Sequence, residues 1–358
     1  MEDKMDVQSV TKQASKQASK QASKQASKQA SRLNYLDVYK GICILFVIFT
    51  HYQWTDEQRK LLLFPFWIDM AVPVFMVITG YVTAYSFSRK NTTLKQAYSP
   101  KEVISKWLRF IIPYLPAYIL SVIAVMISGK KEISVVYLVK LFVTGGSGPG
   151  SYYVPVMIQV VLIIPVIHWV VKKYDTKGLL LCFGVNVLYE ITKTFIDLSP
   201  EIYRLCVFRY IFIISLGCYL YHNKVNRKNP LWYLVGVAGI TYIIVFNYTP
   251  NKPFFTDQWT VTSVFAVLFI VPAMMFLMRP NNLKNSILEL LGRASFNIFL
   301  VQMIYYLVAP KYIYPLLNNN LVFCVPVSIL TCCLVGIGFY MVETPVTKTI
   351  VKKIKRSK

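Results

Sequence analysis

Apolar runs of roughly 20 residues recur along the chain, and they restrict its possible folds more than any other feature. A helix of that length matches the hydrocarbon thickness of a bilayer. Hydrophobic residues make up 55% of the chain and charged residues 15%, whereas soluble domains carry about 25% charged residues. The runs are too many and too long for soluble core helices. The sequence therefore predicts an all-α bundle of about ten transmembrane helices.

The predicted spans are separated by short polar segments. A shorter apolar stretch at 133–144 is predicted to be an interfacial or re-entrant segment. The membrane domain would then cover 33–346, between a basic tail at 1–32 and a second basic tail at 347–358. The predicted spans are 34–54, 66–87, 104–128, 152–171, 179–196, 204–222, 231–248, 259–278, 294–314 and 321–343.

The placement of positive charge indicates how the chain is oriented. With the N-terminus inside, 26 of the 39 Lys and Arg residues fall in predicted cytosolic segments and 7 in predicted outer segments. This asymmetry is the positive-inside bias of membrane proteins, so both termini are predicted to be cytosolic. The formal net charge of +23 then reflects topology and contact with anionic lipid, and nucleic-acid binding is not expected.

The predicted topology can be tested at the two ends of the chain. Epitope tags at the N-terminus and the C-terminus are expected to be shielded from membrane-impermeant reagents in intact cells and to react after permeabilisation. A tag that reacts in intact cells would contradict the predicted topology with ten spans and both termini in the cytosol.

Two other features are predicted to carry no chemistry. Residues 12–31 are five copies of Lys-Gln-Ala-Ser. Lysines repeated every four residues repel one another on a helix, so we expect a disordered or lipid-bound cytosolic tail. The seven cysteines fall in apolar segments without metal-ligand spacing, so we expect neither disulfides nor a metal site.

The first predicted span contains two ionisable residues, which are functional candidates because burying them in a membrane is costly. Lys40 and His51 are eleven residues apart, about three helical turns, so they share one face with a rise of roughly 16 Å between them. His51 is the histidine predicted to face outward and is the best candidate for a general base. The alternatives are a lysine that snorkels to the headgroups and an interfacial histidine.

The same span resembles the opening signature of the acyltransferase 3 family, which comprises integral membrane O-acyltransferases of cell-surface polysaccharides. The family more often has arginine where this chain has lysine, and the lysine form is similar to fucose 4-O-acetylases. The residues that carry the resemblance are Leu36, Asp37, Lys40, Gly41, Ile42 and His51.

Later segments resemble further motifs of that family in the expected order. Two positions depart from the pattern, because Gln302 stands where many members have histidine and Gln159 where some have glutamate. An amide at these positions cannot act as an acid or a base. The matching segments are 72–81, 106–114, 150–165, 292–302 and 343–345.

The resemblance implies an acyltransferase of the cell membrane that moves an acetyl or similar group from acetyl-CoA to a carbohydrate hydroxyl. Its expected partners are acyl-CoA, a carbohydrate or polysaccharide acceptor and membrane lipids. Lys40, Lys106 and Arg109 lie near the predicted cytosolic ends of spans one and three, where they would bind the CoA phosphates. His51 is the predicted catalytic base, and Asp69, at a similar depth, is predicted to orient the imidazole.

Some features leave alternatives open. Glu190 and Arg209 lie in predicted spans and would either pair with each other or line the pocket. The glycine-rich segment 145–151 lacks the Gly-Lys-Ser/Thr of a nucleotide loop and is predicted to be a linker or a lid over the acceptor site. The alternative functions are a transporter or flippase for lipid-linked sugars, whose internal symmetry is not visible, and a non-catalytic scaffold.

Overall fold

The computed structural model describes residues 34–127, 134–196, 198–223, 225–249 and 263–356. Within these ranges all regular secondary structure is helical and no β-strand occurs, which confirms the predicted all-α fold. The Lys-Gln-Ala-Ser tail, predicted to be disordered or lipid-bound, lies outside the described residues.

Each predicted span coincides with a helix, although several boundaries differ. The span predicted at 204–222 is interrupted at Cys206, between the short helix Pro200–Leu205 and α7. The last helix continues well past the predicted end at 343, to Arg356. In chain order the main helices are α1 (34–50), α2 (Ala71–Arg89), α3 (Pro100–Ile127), α4 (Val135–Val143), α5 (Tyr153–Tyr174), α6 (Thr176–Ile196), α7 (Val207–His222), α8 (Pro230–Tyr248), α9 (Val264–Leu277), α10 (Ser286–Arg293), α11 (Ser295–Tyr312) and α12 (Leu321–Arg356).

Length and composition identify helices that can cross a membrane. Among the described residues, five helices are long and apolar enough to cross a bilayer: α2 with its preceding turn, α3, α5, α8 and α12. A sixth is the pair α10 and α11, which is bent by 71°. Helices α7 and α9 are apolar but shorter. The chain is thus a helical membrane protein, while the number of ten crossings and the cytosolic termini stay predictions.

The stretch predicted to be interfacial or re-entrant contains α4, whose nine residues are too few to cross a bilayer. Helix α3 holds it by two tyrosines. Tyr114 donates a hydrogen bond of 2.9 Å to the carbonyl oxygen of Phe142, and Tyr118 donates one of 3.0 Å to that of Leu138. These bonds fix α4 beside α3 and so position the loop that follows it.

Glycines allow the closest helix crossings. A Cβ atom at Gly80 of α2 would overlap the carbonyl oxygen of Ile214 in α7, and one at Gly217 of α7 would overlap that of Val77 in α2. The backbones therefore touch directly, as small residues permit at membrane helix interfaces. This reciprocal contact fixes the position of α2 relative to α7.

A second reciprocal contact joins α1 to α10. A Cβ atom at Gly41 would overlap the Leu288 carbonyl oxygen, and one at Gly292 would overlap the Asp37 carbonyl oxygen. Gly41 and Gly292 both belong to segments that resemble family motifs. Because a side chain at either position would overlap the opposite backbone, these glycines allow the close approach of α1 and α10.

Buried side chains form two clusters. One is centred on α2, α5, α7 and α9, and the other on α1, α11 and α12 with part of α3. Val72 and Tyr153 pack against both clusters. The candidate site lies at this boundary.

Candidate functional site

Two cavities meet at the end of α1. The larger has a volume of 690 Å³ and the smaller one of 50 Å³. His51 lines both, so one imidazole faces two different compartments of the protein. The other residues that line both cavities are Val47, Val72, Gly150 and Tyr152.

The small cavity is apolar and follows one face of α1. Ile44, Val47 and His51 line it from α1, and Phe296 and Phe299 line it from α11. These α1 positions continue the face that the sequence predicted to run from Lys40 to His51. The structure therefore places an apolar space on the predicted stripe.

The large cavity has a mixed polar and apolar lining and is bordered by charges of both signs. It adjoins the glycine-rich segment, the end of α1 and the segment between α6 and α7. A space of this size with many hydrogen-bonding groups suits a hydroxylated ligand. Its charged lining residues are Arg59, Asp69, Lys140, Glu201, Arg204 and Arg209.

His51 is placed where α1 ends. Its backbone N–H donates to the Ile48 carbonyl oxygen at 3.3 Å, a short turn that closes the helix. Tyr306 of α11 also donates to the Ile48 carbonyl oxygen, at 2.7 Å, and its ring centroid lies 6.3 Å from that of His51. These contacts hold the last turn of α1 and thereby the imidazole.

Asp69 lines the large cavity with His51, but its hydrogen bonds go elsewhere. Its carboxylate accepts from Arg59 at 2.7 Å and from the Thr50 hydroxyl at 3.2 Å. Arg59 also donates to the Thr50 carbonyl oxygen at 3.3 Å. This network secures the end of α1 beside His51. No hydrogen bond between Asp69 and the imidazole occurs in the described residues, so its orienting role stays a prediction without that support.

The glycine-rich segment packs against the imidazole. Four of its glycines have positive φ angles, between 85° and 126°, which L-residues rarely adopt. A Cβ atom at Gly150 would lie 2.9 Å from the Phe299 ring and 3.3 Å from the His51 ring. The segment forms part of the wall of both cavities, a position consistent with a lid rather than a remote linker.

The three predicted CoA-binding cations occupy different surroundings. Lys40 makes an ion pair of 2.5 Å with Asp37. Lys106 lines a separate cavity of 320 Å³ and lies 4.8 Å from the centre of the Phe87 ring. Arg109 is exposed on α3.

Glu190 and Arg209 are linked through an aromatic ring. The Tyr203 hydroxyl donates to the Glu190 carboxylate at 2.7 Å, and the Arg209 guanidinium lies 4.9 Å from the centre of the Tyr203 ring. The Val264 N–H also donates to Glu190, at 3.3 Å. Of the two residues, Arg209 lines the large cavity.

The two glutamines that depart from the family pattern have different surroundings. Gln159 accepts from the Val207 N–H at 3.2 Å and donates to the Leu205 carbonyl oxygen at 2.7 Å. Its amide thus supplies hydrogen bonds to two backbone groups at the interruption before α7. Gln302 is fully buried beside His51 and donates to the Pro149 carbonyl oxygen at 3.1 Å.

Gln302 is the site residue that the sequence did not assign. The signal in the sequence was that glutamine stands at position 302 where many family members have histidine. The sequence could not show which groups this amide contacts.

The comparisons with known proteins agree with this architecture. The family model described as an acyltransferase domain, acyltransferase 3, matches residues 33–340, which include every helix from α1 to α11 and most of α12. No curated protein and no solved structure matches the chain. Because the family model covers most of the chain, the protein belongs to the acyltransferase 3 family and is a membrane acyltransferase.

Proposed function

We propose that this acyltransferase transfers an acetyl or similar short acyl group from acyl-CoA to a hydroxyl of a cell-surface or lipid-linked carbohydrate. The cell membrane is its proposed location, with membrane lipids around the bundle. The observation that carries the proposal is the position of His51 between a small apolar cavity and a large cavity bordered by charged and polar groups. An acyl group suits the first cavity and a sugar suits the second.

In the proposed reaction His51 acts as a general base. The imidazole takes the proton of the acceptor hydroxyl as the hydroxyl oxygen attacks the thioester carbonyl carbon. The tetrahedral intermediate collapses with cleavage of the C–S bond, and the imidazolium returns the proton to the CoA thiolate. The products are an ester and free CoA, and the base regains its starting state.

The donor is proposed to approach along the Lys40 face of α1. The pantetheine arm would extend along the roughly 16 Å that separate Lys40 from His51 on the helix axis. Lys40, Lys106 and Arg109 would contact the phosphates, with Lys40 exchanging part of its contact with Asp37 for the ligand.

Labelled acetyl-CoA tests the proposed function directly. Membranes that contain the protein are incubated with [¹⁴C]acetyl-CoA and surface glycans from the producing cells, and alkali-labile label in the glycan fraction is measured. We expect label that disappears in membranes lacking the protein. Label found only in protein or lipid would contradict a carbohydrate acceptor. Sugar translocation without any labelled ester would instead favour the transporter alternative.

The size of the small cavity supports a short acyl group, because a volume of 50 Å³ leaves little room beside the imidazole. Phe296→Ala is expected to widen it, since this ring is a partly buried part of its lining. The ratio of kcat/KM for butyryl-CoA to that for acetyl-CoA should rise about tenfold, as one or two extra methylenes are worth roughly 1–3 kcal/mol.

Phe110→Ala is the matched control. Its ring packs edge-on against Phe296 with the centroids 5.4 Å apart, but it does not line the cavity. The control should leave the butyryl-to-acetyl ratio unchanged. Equal changes in both variants would mean that the small cavity does not hold the acyl group.

A further inference from the structure

Gln302 holds an amide whose two ends have different surroundings. The side chain is fully buried in α11, and its Nε2 donates to the Pro149 carbonyl oxygen at 3.1 Å. Only the nitrogen end of an amide can donate, so this bond fixes which end faces the glycine-rich segment. The Oε1 atom is buried and has no hydrogen-bond partner in the part of the chain that the structure describes.

His51 presents a matching atom. Its Nδ1 is also buried and without a hydrogen-bond partner among the described residues. Gln302 lies beside this ring, outside ordinary hydrogen-bond geometry, and the Val47 carbonyl oxygen lies near it as well. Both neighbouring groups are acceptors. His51 Nε2 is not among the buried unpartnered atoms, and none of the described residues hydrogen-bonds it, so it is the ring nitrogen open to the cavities.

Each buried polar atom left unpaired destabilises the folded protein. A proton on Nδ1 removes both costs at once, because Nδ1–H is a donor and Oε1 is an acceptor. If the proton were on Nε2 instead, the lone pair of Nδ1 would face a lone pair of Oε1, and the two would repel each other. Catalytic hydrogen bonds that are long in the free enzyme often tighten when substrate binds.

We propose that Gln302 is the positioning residue of His51: its Oε1 accepts the Nδ1–H and leaves Nε2 unprotonated toward the cavities. The catalytic meaning of this contact rests on the proposed function. When Nε2 takes the proton of the acceptor hydroxyl, the Nδ1–H bond to the neutral amide remains. The amide thus serves as the group that orients the base, a task that a carboxylate performs in a serine protease triad.

The second bond of Gln302 ties this orientation to the wall of the site. The Pro149 carbonyl that accepts from Nε2 precedes Gly150, which packs against the imidazole. A single side chain therefore fixes both the ring and the backbone that covers it. No other described residue hydrogen-bonds this carbonyl.

Nitrogen NMR tests the tautomer without any substrate. The full-length protein is labelled with [¹⁵N]histidine, and because it has three histidines, the His51 signals are assigned by their loss in His51→Ala. We expect the neutral ring to carry its proton on Nδ1 in the wild-type protein. A proton on Nε2 would overturn the proposal with this spectrum alone.

Two variants separate Gln302 from the nearby Val47 carbonyl. Gln302→Leu should lose the Nδ1–H preference, whereas Gln302→Glu keeps an acceptor oxygen and should retain it. His168 and His222 lie elsewhere in the fold, with their Nε2 atoms 3.1 Å apart. Their signals report whether each variant is folded. An unchanged His51 tautomer in folded Gln302→Leu would assign the proton to the Val47 carbonyl and overturn the proposal.

Kinetics supply an independent readout. Gln302→Leu should lower kcat at least about tenfold, because a misplaced proton removes the base, and should leave KM for acyl-CoA unchanged. Gln302→Glu should recover most of that loss. The NMR result does not depend on acyl transfer, so failure of the proposed function and failure of this proposal are distinguishable. A normal kcat in Gln302→Leu would show that the amide does not position the base.

Discussion

Purified His51→Ala protein is expected to lose acyl transfer by about 10²- to 10⁴-fold, the usual effect of removing a general base. The reason is geometric as well as chemical. His51 lines the small apolar cavity and the large charge-bordered one, so its imidazole is placed to meet both proposed substrates. The measurement is the initial rate of ester formation with labelled acetyl-CoA, in protein that binds acyl-CoA normally.

The His51→Gln variant extends this test. Glutamine keeps hydrogen-bonding capacity but accepts no proton, so its activity should be nearly as low as that of the alanine variant. His222→Ala is the control, because His222 lines neither of the cavities that meet at His51. Near-normal transfer by folded His51→Ala protein would eliminate the proposed mechanism and leave the carboxylates Asp69 and Glu201 as base candidates in the same cavity.

The second large effect is expected at the donor phosphates. Lys106→Ala and Arg109→Ala should each raise KM for acyl-CoA about ten- to a hundredfold, since a hydrogen bond to a charged group is worth roughly 1.5–3 kcal/mol. KM for the acceptor should stay the same. The measurement is a pair of saturation curves, one for each substrate, on proteins with matched expression.

Lys95→Ala provides a matched control for the donor site. Lys95 is an exposed lysine in the short helix Leu94–Ala97, which precedes α3, and does not line the cavity that contains Lys106. It carries the same charge and should have no effect on either KM. A change confined to KM for the acceptor in the Lys106 or Arg109 variant would refute the donor assignment.

Helical periodicity explains which parts of the fold could be predicted. The face shared by Lys40 and His51 followed from 3.6 residues per turn, and the structure places the small apolar cavity on that face. The short segment at α4 was recognisable because it is apolar yet too short to span. The glycines at positions 41 and 292 were visible only as parts of motifs, and their close contacts needed the coordinates.

The polar contacts of the site could not be predicted. Asp69 pairs with Arg59 because the chain between α1 and α2 turns back on itself, and no periodic pattern specifies that turn. Gln302 and Pro149 are 153 residues apart in sequence, so a single sequence carries no signal of their contact. Similarly, the interruption before α7 depends on Gln159, which supplies the bonds that a continuous helix would have made.

The narrow cavity between α1 and α11 has a further consequence for the membrane itself. In the proposed reaction, substrates from opposite sides of the bilayer would meet at one imidazole, and ion gradients must not collapse through that point. The rings of Phe75, Phe296 and Phe299 leave only 50 Å³ on the apolar side of His51. An ion entering this space would give up its water without replacement, at a cost far above thermal energy. The proposed acyl transfer at His51 would therefore not require an ion-conducting path through this cavity.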